Sequence, residues 1–153
     1  MSKTDSAANP IKLSQWDALI LESAKSIVPS GEELLHRVRT GTLPADESKF
    51  KFDYTRLTEL HAEDPAAFEQ ALHRGYRIKY NTLRGIASWI QLALGQEAVL
   101  QAEPGNESIV AALTEEEYGR LTAVLSSGWL VRSEPALTAE GRSVYLIEPL
   151  VRS

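Results

Sequence analysis

Cysteine is missing from all 153 positions of the chain. Its absence excludes disulfide staples, thiolate nucleophiles, Cys-ligated zinc and iron–sulfur clusters, and it suits a reducing compartment such as the cytoplasm. A chain of this length can do without staples, because folding removes roughly two thirds of its unfolded surface from water. Long apolar runs are missing too. The most apolar stretch, Ile86 to Leu94, is broken by Ser88 and Gln91 and falls well short of the about 20 residues that a membrane-spanning helix needs. Residues 1–10 are polar with no apolar centre, which argues against a signal peptide and for a disordered lead over residues 1–12. The expectation is a soluble cytoplasmic protein that does not engage a membrane.

Motifs that carry chemistry are equally scarce. There is no Gly-x-Ser-x-Gly elbow, no phosphate-binding loop and no dinucleotide fingerprint, and the nine glycines stand singly. Glu33 and His36 share the i, i+3 spacing of di-iron bundle proteins, and Glu69 and His73 stand one turn apart. Such a centre needs two Glu-x-x-His pairs and two further glutamates, and only one pair has the right spacing. His61, between Glu59, Glu63 and Asp64, reads as part of a solvated helix face. No metal or other cofactor is expected. The triplet Glu115-Glu116-Glu117 is explained by the positive end of the helix it opens.

What is present is an uneven charge layout. Residues 1–69 hold 8 Lys and Arg against 12 acids, and residues 97–153 hold 4 against 9. Between them, residues 70–96 carry Arg74, Arg77, Lys79 and Arg84 and no acid at all. An acidic chain of net charge −5 thus contains one basic island.

The periodicity predicts helices first. One begins at Leu13 with Ser14 as cap and Trp16, Leu19, Ile20 and Ile27 on its apolar face, and it stops at Pro29-Ser30-Gly31. A second covers Glu32 to Arg39, a third Asp53 to Ala62, and a fourth opens at Asp64-Pro65 and ends at Gly75. Tyr76 to Tyr80 alternates as a short strand, although the same residues suit a helix. Asn81 or Thr82 then caps a helix from Leu83 to Leu94, ended by Gly95.

The last third reads as strands around one helix. Val99–Ala102 and Ser108–Ala112 flank Pro104-Gly105, the pairing of a type II turn, so a hairpin is expected. Thr114 and Glu117 have the spacing of a capping box, for a helix running to Ser127 and closing at Gly128. Trp129–Arg132 and Val144–Ile147 are the final strands. The fold class is α+β: a helical part over residues 13–96 and an α+β part of short antiparallel strands over residues 97–153, packed as one folding unit.

That helix, followed by Gly128-Trp129-Leu130-Val131-Arg132 and by Leu137 to Arg142, resembles the helix, wing and following segment of winged-helix transcription regulators. The resemblance implies a DNA-reading helix. This one opens with three glutamates, and residues 97–153 contain no lysine. Phosphate contact dominates DNA affinity, so such a surface suits protein better than DNA.

The functional expectation is a non-enzymatic binding or regulatory protein whose contact residues are Arg74, Tyr76, Arg77, Lys79, Tyr80 and Arg84. Arginine and tyrosine are favoured interface anchors, and the cations select an acidic protein partner. A DNA-binding regulator using the same island is the alternative. An enzyme whose site assembles only in three dimensions is a third.

Overall fold

The computed structural model describes residues 11–47, 50–101, 103–105, 107–137 and 141–150, with the side chains of 134–137 outside that description. The architecture is α+β, with N-terminal helices followed by a four-stranded antiparallel sheet. Its internal contacts divide it into two compact units, residues 1–77 and 78–153. The change of character read from the sequence falls later, at residue 96.

The first unit contains β1 (Ile11–Leu13), α1 (Gln15–Ile27), α2 (Gly31–Thr40), α3 (Thr55–Glu63) and α4 (Pro65–Arg74), and β2 (Tyr76–Ile78) begins at its end. β1 and β2 pair as a two-stranded sheet. Caps set the helix starts. Ser14 accepts from Asp17 N, Ser30 from Glu33 N and Asp64 from Ala67 N, each side chain satisfying a donor that the first turn leaves unpaired. Gly41 ends α2 at φ +66°, a left-handed conformation that glycine adopts without strain.

Leu34, Val38 and Leu57 are fully buried, and Ile20, Leu21 and Ala71 nearly so. Each large side chain removed from water contributes about 1.5–3 kcal/mol. Two expectations fail here. Leu13 belongs to β1 rather than to the first helix, which starts at Gln15. Trp16 is 60% exposed and Ile27 41% exposed, so neither is on the buried face of α1. The helix is instead buried all round over Asp17 to Ala24, a run that takes in two carboxylates because Arg56 and Tyr76 satisfy them. Trp16 lies edge-on to Phe52 instead, ring centres 5.2 Å apart.

The second unit contains α5 (Leu83–Trp89), which widens into a π-helical turn at Ile90–Leu94, then β3 (Ala98–Gln101), β4 (Ser108–Leu113), α6 (Glu115–Val124), β5 (Trp129–Leu137) and β6 (Ser143–Pro149). The strand order is β3-β4-β6-β5, antiparallel throughout. Ile109, Leu113 and Ile147 are fully buried and Ala111 nearly so, which makes their side of the sheet the core side. Tyr118 of α6 stacks on Tyr145 of that side at 4.7 Å. The expected hairpin is formed by β3 and β4, with Gly105 at φ +82° in the turn. Its residues Ala102 and Asn106 lie outside the described residues, as do residues 1–10 of the lead and Thr138–Glu140 of the last connection.

Several boundaries differ from expectation. The strand after α4 stops at Ile78, so Lys79 and Tyr80 follow it in a bend. α6 ends at Val124 rather than at Ser127. β5 runs on to Leu137 through Pro135, which the sheet tolerates because β5 is an edge strand whose register shifts between Ser133 and Leu137. Between β4 and β5 stands α6 alone, where a helix-turn-helix reader would set two helices.

Candidate interaction surface

The six residues singled out by sequence fall on both sides of the division at residue 77. In the first unit, Arg74 is exposed in the last turn of α4, where a cation complements the helix dipole. Gly75 then turns the chain at φ +100°. β2 follows with Tyr76 and Ile78 buried and Arg77 half-buried between them. The two-residue period was therefore legible, but it puts Tyr76 into the core. Its hydroxyl donates to Glu22 Oε2 at 2.6 Å, and Glu22 is itself buried with Lys25 Nζ 3.6 Å away. Tyr76 was expected at a contact surface, and the structure instead buries it, with its hydroxyl as partner to a buried carboxylate.

In the second unit, Lys79 and Tyr80 are exposed, Tyr80 to 75%. The chain after them is pinned by Asn81, which is buried and accepts from both the backbone N–H and the hydroxyl of Ser126 at 2.8 Å. Thr82 caps α5 through Gly85 N. Arg84 is exposed in the first turn of that helix, which carries no acid. A helix N-terminus is positive, so a cation there is set against the dipole.

Elsewhere among the described residues, Lys25, Arg37, Arg39, Arg56, Arg132 and Arg142 each lie within 4.0 Å of a carboxylate, whereas the exposed Lys12, Lys51 and Arg120 do not. Among the described residues no ion pair holds Arg74, Arg77, Lys79 or Arg84. No protein-family model, curated protein or solved structure matches the chain.

Most of the other candidate groups have neighbours of their own. Glu33 bonds Arg37 at 3.1 Å, Glu69 lies 3.8 Å from His61 Nε2 and 4.0 Å from Arg39, and the His73 imidazole lies against Gly31. Among the described residues no cluster of three metal-ligating side chains forms. Glu117 completes the capping box by accepting from Thr114 N at 2.9 Å while its own N–H bonds Thr114 Oγ1. Burial pushes its carboxyl up, but hydrogen bonds from Thr114 and Gln96 and the charge of Arg142 outweigh that and hold it below the ordinary glutamate value.

Sequence reasoning missed the bidentate pair of Arg56 with Asp17, at 2.9 and 3.1 Å. Hydrogen bonding to Asp17 raises the Arg56 guanidinium further above its already high value. The pair spans 39 residues and the Tyr76–Glu22 bond spans 54, so no local spacing announces either.

Proposed function

We propose that this chain is a non-enzymatic binding protein of the cytoplasm, regulatory in role, which docks an acidic surface of a partner protein. Lys79, Tyr80 and Arg84 of the second unit are its contact residues, and Arg74 and Arg77 add cations from the same stretch of sequence. The observation that supports this reading is the lack of ion pairs on these cations among the described residues. Arg84 sharpens it, since its place against the helix dipole does not serve the stability of α5. Tyrosine and arginine are the residue types enriched at interface hot spots. Four cations in a chain with 21 acids give too few phosphate contacts for tight duplex binding.

The test is affinity capture from cell extract before and after nuclease treatment, followed by titration of the purified captured protein in rising salt. The Lys79→Glu, Arg84→Glu double variant should fold as the wild type does and bind the captured protein at least about tenfold more weakly. Binding that survives nuclease and falls in the variant is the expected result. Equal binding by the variant would overturn the proposal, and so would tight duplex DNA binding lost in the variant, which would make the protein a DNA-binding regulator.

A further inference from the structure

The four-stranded sheet has two edges, and they are treated differently. β5 is blunted by Pro135 and by its register shift, and Arg132 on it is tied to Glu148 at 2.9 Å. These are devices that stop an edge from pairing with another chain. β3, Ala98-Val99-Leu100-Gln101, has no charge, no proline and no bulge. Among the described residues it pairs only with β4, so alternate N–H and C=O groups on its far side have no ladder partner. We infer that β3 is the edge through which two copies of this chain pair, antiparallel, to form one continuous eight-stranded sheet.

The side chains favour a second copy and select one register. Glu97, Val99 and Gln101 alternate outward as exposed residues on the face away from the core, Val99 at 49%. For the two sheets to continue core face to core face, residues of like parity must stand opposite one another. With Val99 opposite Val99 of the second copy, Glu97 stands opposite Gln101 on both sides of the two-fold axis. Gln101 suits that position, because its Oε1 already accepts from the Ser108 hydroxyl at 3.1 Å and its amide nitrogen is left to donate. Slipping the register by two residues sets Glu97 opposite Glu103 in one direction and opposite Val99 in the other. Only the central register matches apolar with apolar and carboxylate with amide.

The apolar row then runs unbroken. Val99 is paired with Val110 and Val110 with Leu146, so the dimer carries that row through both copies across the axis. A shallow cleft of about 440 Å³ lies on this face, walled by Val99, Val110, Ala112 and Val144 together with the polar Gln96, Glu97 and Arg142. Four residues of edge make a small contact, so the association should be weak and concentration-dependent. It does not rest on the cations at residues 74–84.

Sedimentation of the full chain from about 1 µM to about 1 mM tests this, together with hydrogen exchange of the β3 amides over the same range. A monomer–dimer equilibrium is expected, with β3 amides slowing as the dimer fills. Gln101→Glu puts two carboxylate pairs face to face and should weaken the dimer about five- to thirtyfold, whereas Gln101→Lys should tighten it by a similar factor. Val99→Lys should leave a monomer. If that variant misfolds, the exposed position 101 still decides the matter. A monomer at every concentration overturns the inference and leaves the edge to a strand of another protein. A dimer indifferent to both Gln101 changes overturns it as well.

Discussion

Replacing Glu117 by alanine should destabilise the second unit by about 2–4 kcal/mol, a figure that follows from what its carboxylate touches. The return bond of the capping box, from Thr114 N at 2.9 Å, contributes on the scale of about 1 kcal/mol. The bond from Gln96 Nε2 at 3.0 Å ends on a charged acceptor, a class that contributes about 1.5–3 kcal/mol. Arg142, 3.6 Å away and 26% exposed, loses a neighbour of opposite charge in addition. Thr114→Ala alone should cost about 0.5–2 kcal/mol, and the double variant less than the sum, because both residues serve the same turn.

Glu117→Gln separates shape from charge, since glutamine also completes a capping box. The carboxyl is held below its ordinary value of 4.5 in the folded protein, so its stabilisation is fully present above that value and is lost as pH falls through the folded value. The gap between wild type and Glu117→Gln should therefore be widest near neutrality and close on acidification. Urea melts followed by circular dichroism at several pH values, with hydrogen exchange of the α6 amides, measure both effects. Glu117→Ala within about 0.5 kcal/mol of wild type would refute the reasoning, as would a gap that stays constant with pH.

Two further outcomes follow from the first unit. Asp17→Ala should cost about 1–3 kcal/mol in a urea melt, because it removes both acceptors of the Arg56 fork; a change confined to experimental error would show that Glu59 and Glu63 hold Arg56 equally well. Tyr76→Phe keeps the buried ring but strips Glu22 of its hydroxyl donor, so it should destabilise by about 1–3 kcal/mol and leave capture of the partner unaffected once refolded. Lost capture in a folded Tyr76→Phe would return this tyrosine to the contact surface.

What could be read from the sequence was whatever is settled within a few residues. The Thr114 capping box, the Asp64-Pro65 helix start, the Pro104-Gly105 hairpin and the helix end at Gly95 depend on neighbours in the chain, and the structure contains all four. The period of Tyr76, Arg77 and Ile78 was equally visible, but the choice of buried face belongs to α1 and its Glu22, which lies 54 residues upstream of Tyr76. The same gap explains Trp16, which shares its spacing with Leu19 and Ile20 but stays exposed while they are buried. The strand expected over Trp129–Arg132 continues to Leu137, and only the strand order shows that Pro135 stands on an edge. For the candidate surface, the sequence supplied the acid-free stretch. It could not show which cations have carboxylates within reach.

The π-helical turn at Ile90–Leu94 makes that stretch of helix indifferent to a change of one residue in its length. A wide turn is one more residue than ordinary winding holds, taken up as a local swelling so that the segments on either side keep their places. Deleting one of Gln91, Leu92 or Ala93 would draw the swelling into ordinary helix. Ile90 and Leu94, both buried, would then stand three positions apart instead of four, and residues three or four apart share a face. The helix would lose a residue without turning either side chain out of the core. Insertions and deletions are usually confined to loops, and here the place that can absorb one lies inside a packed helix.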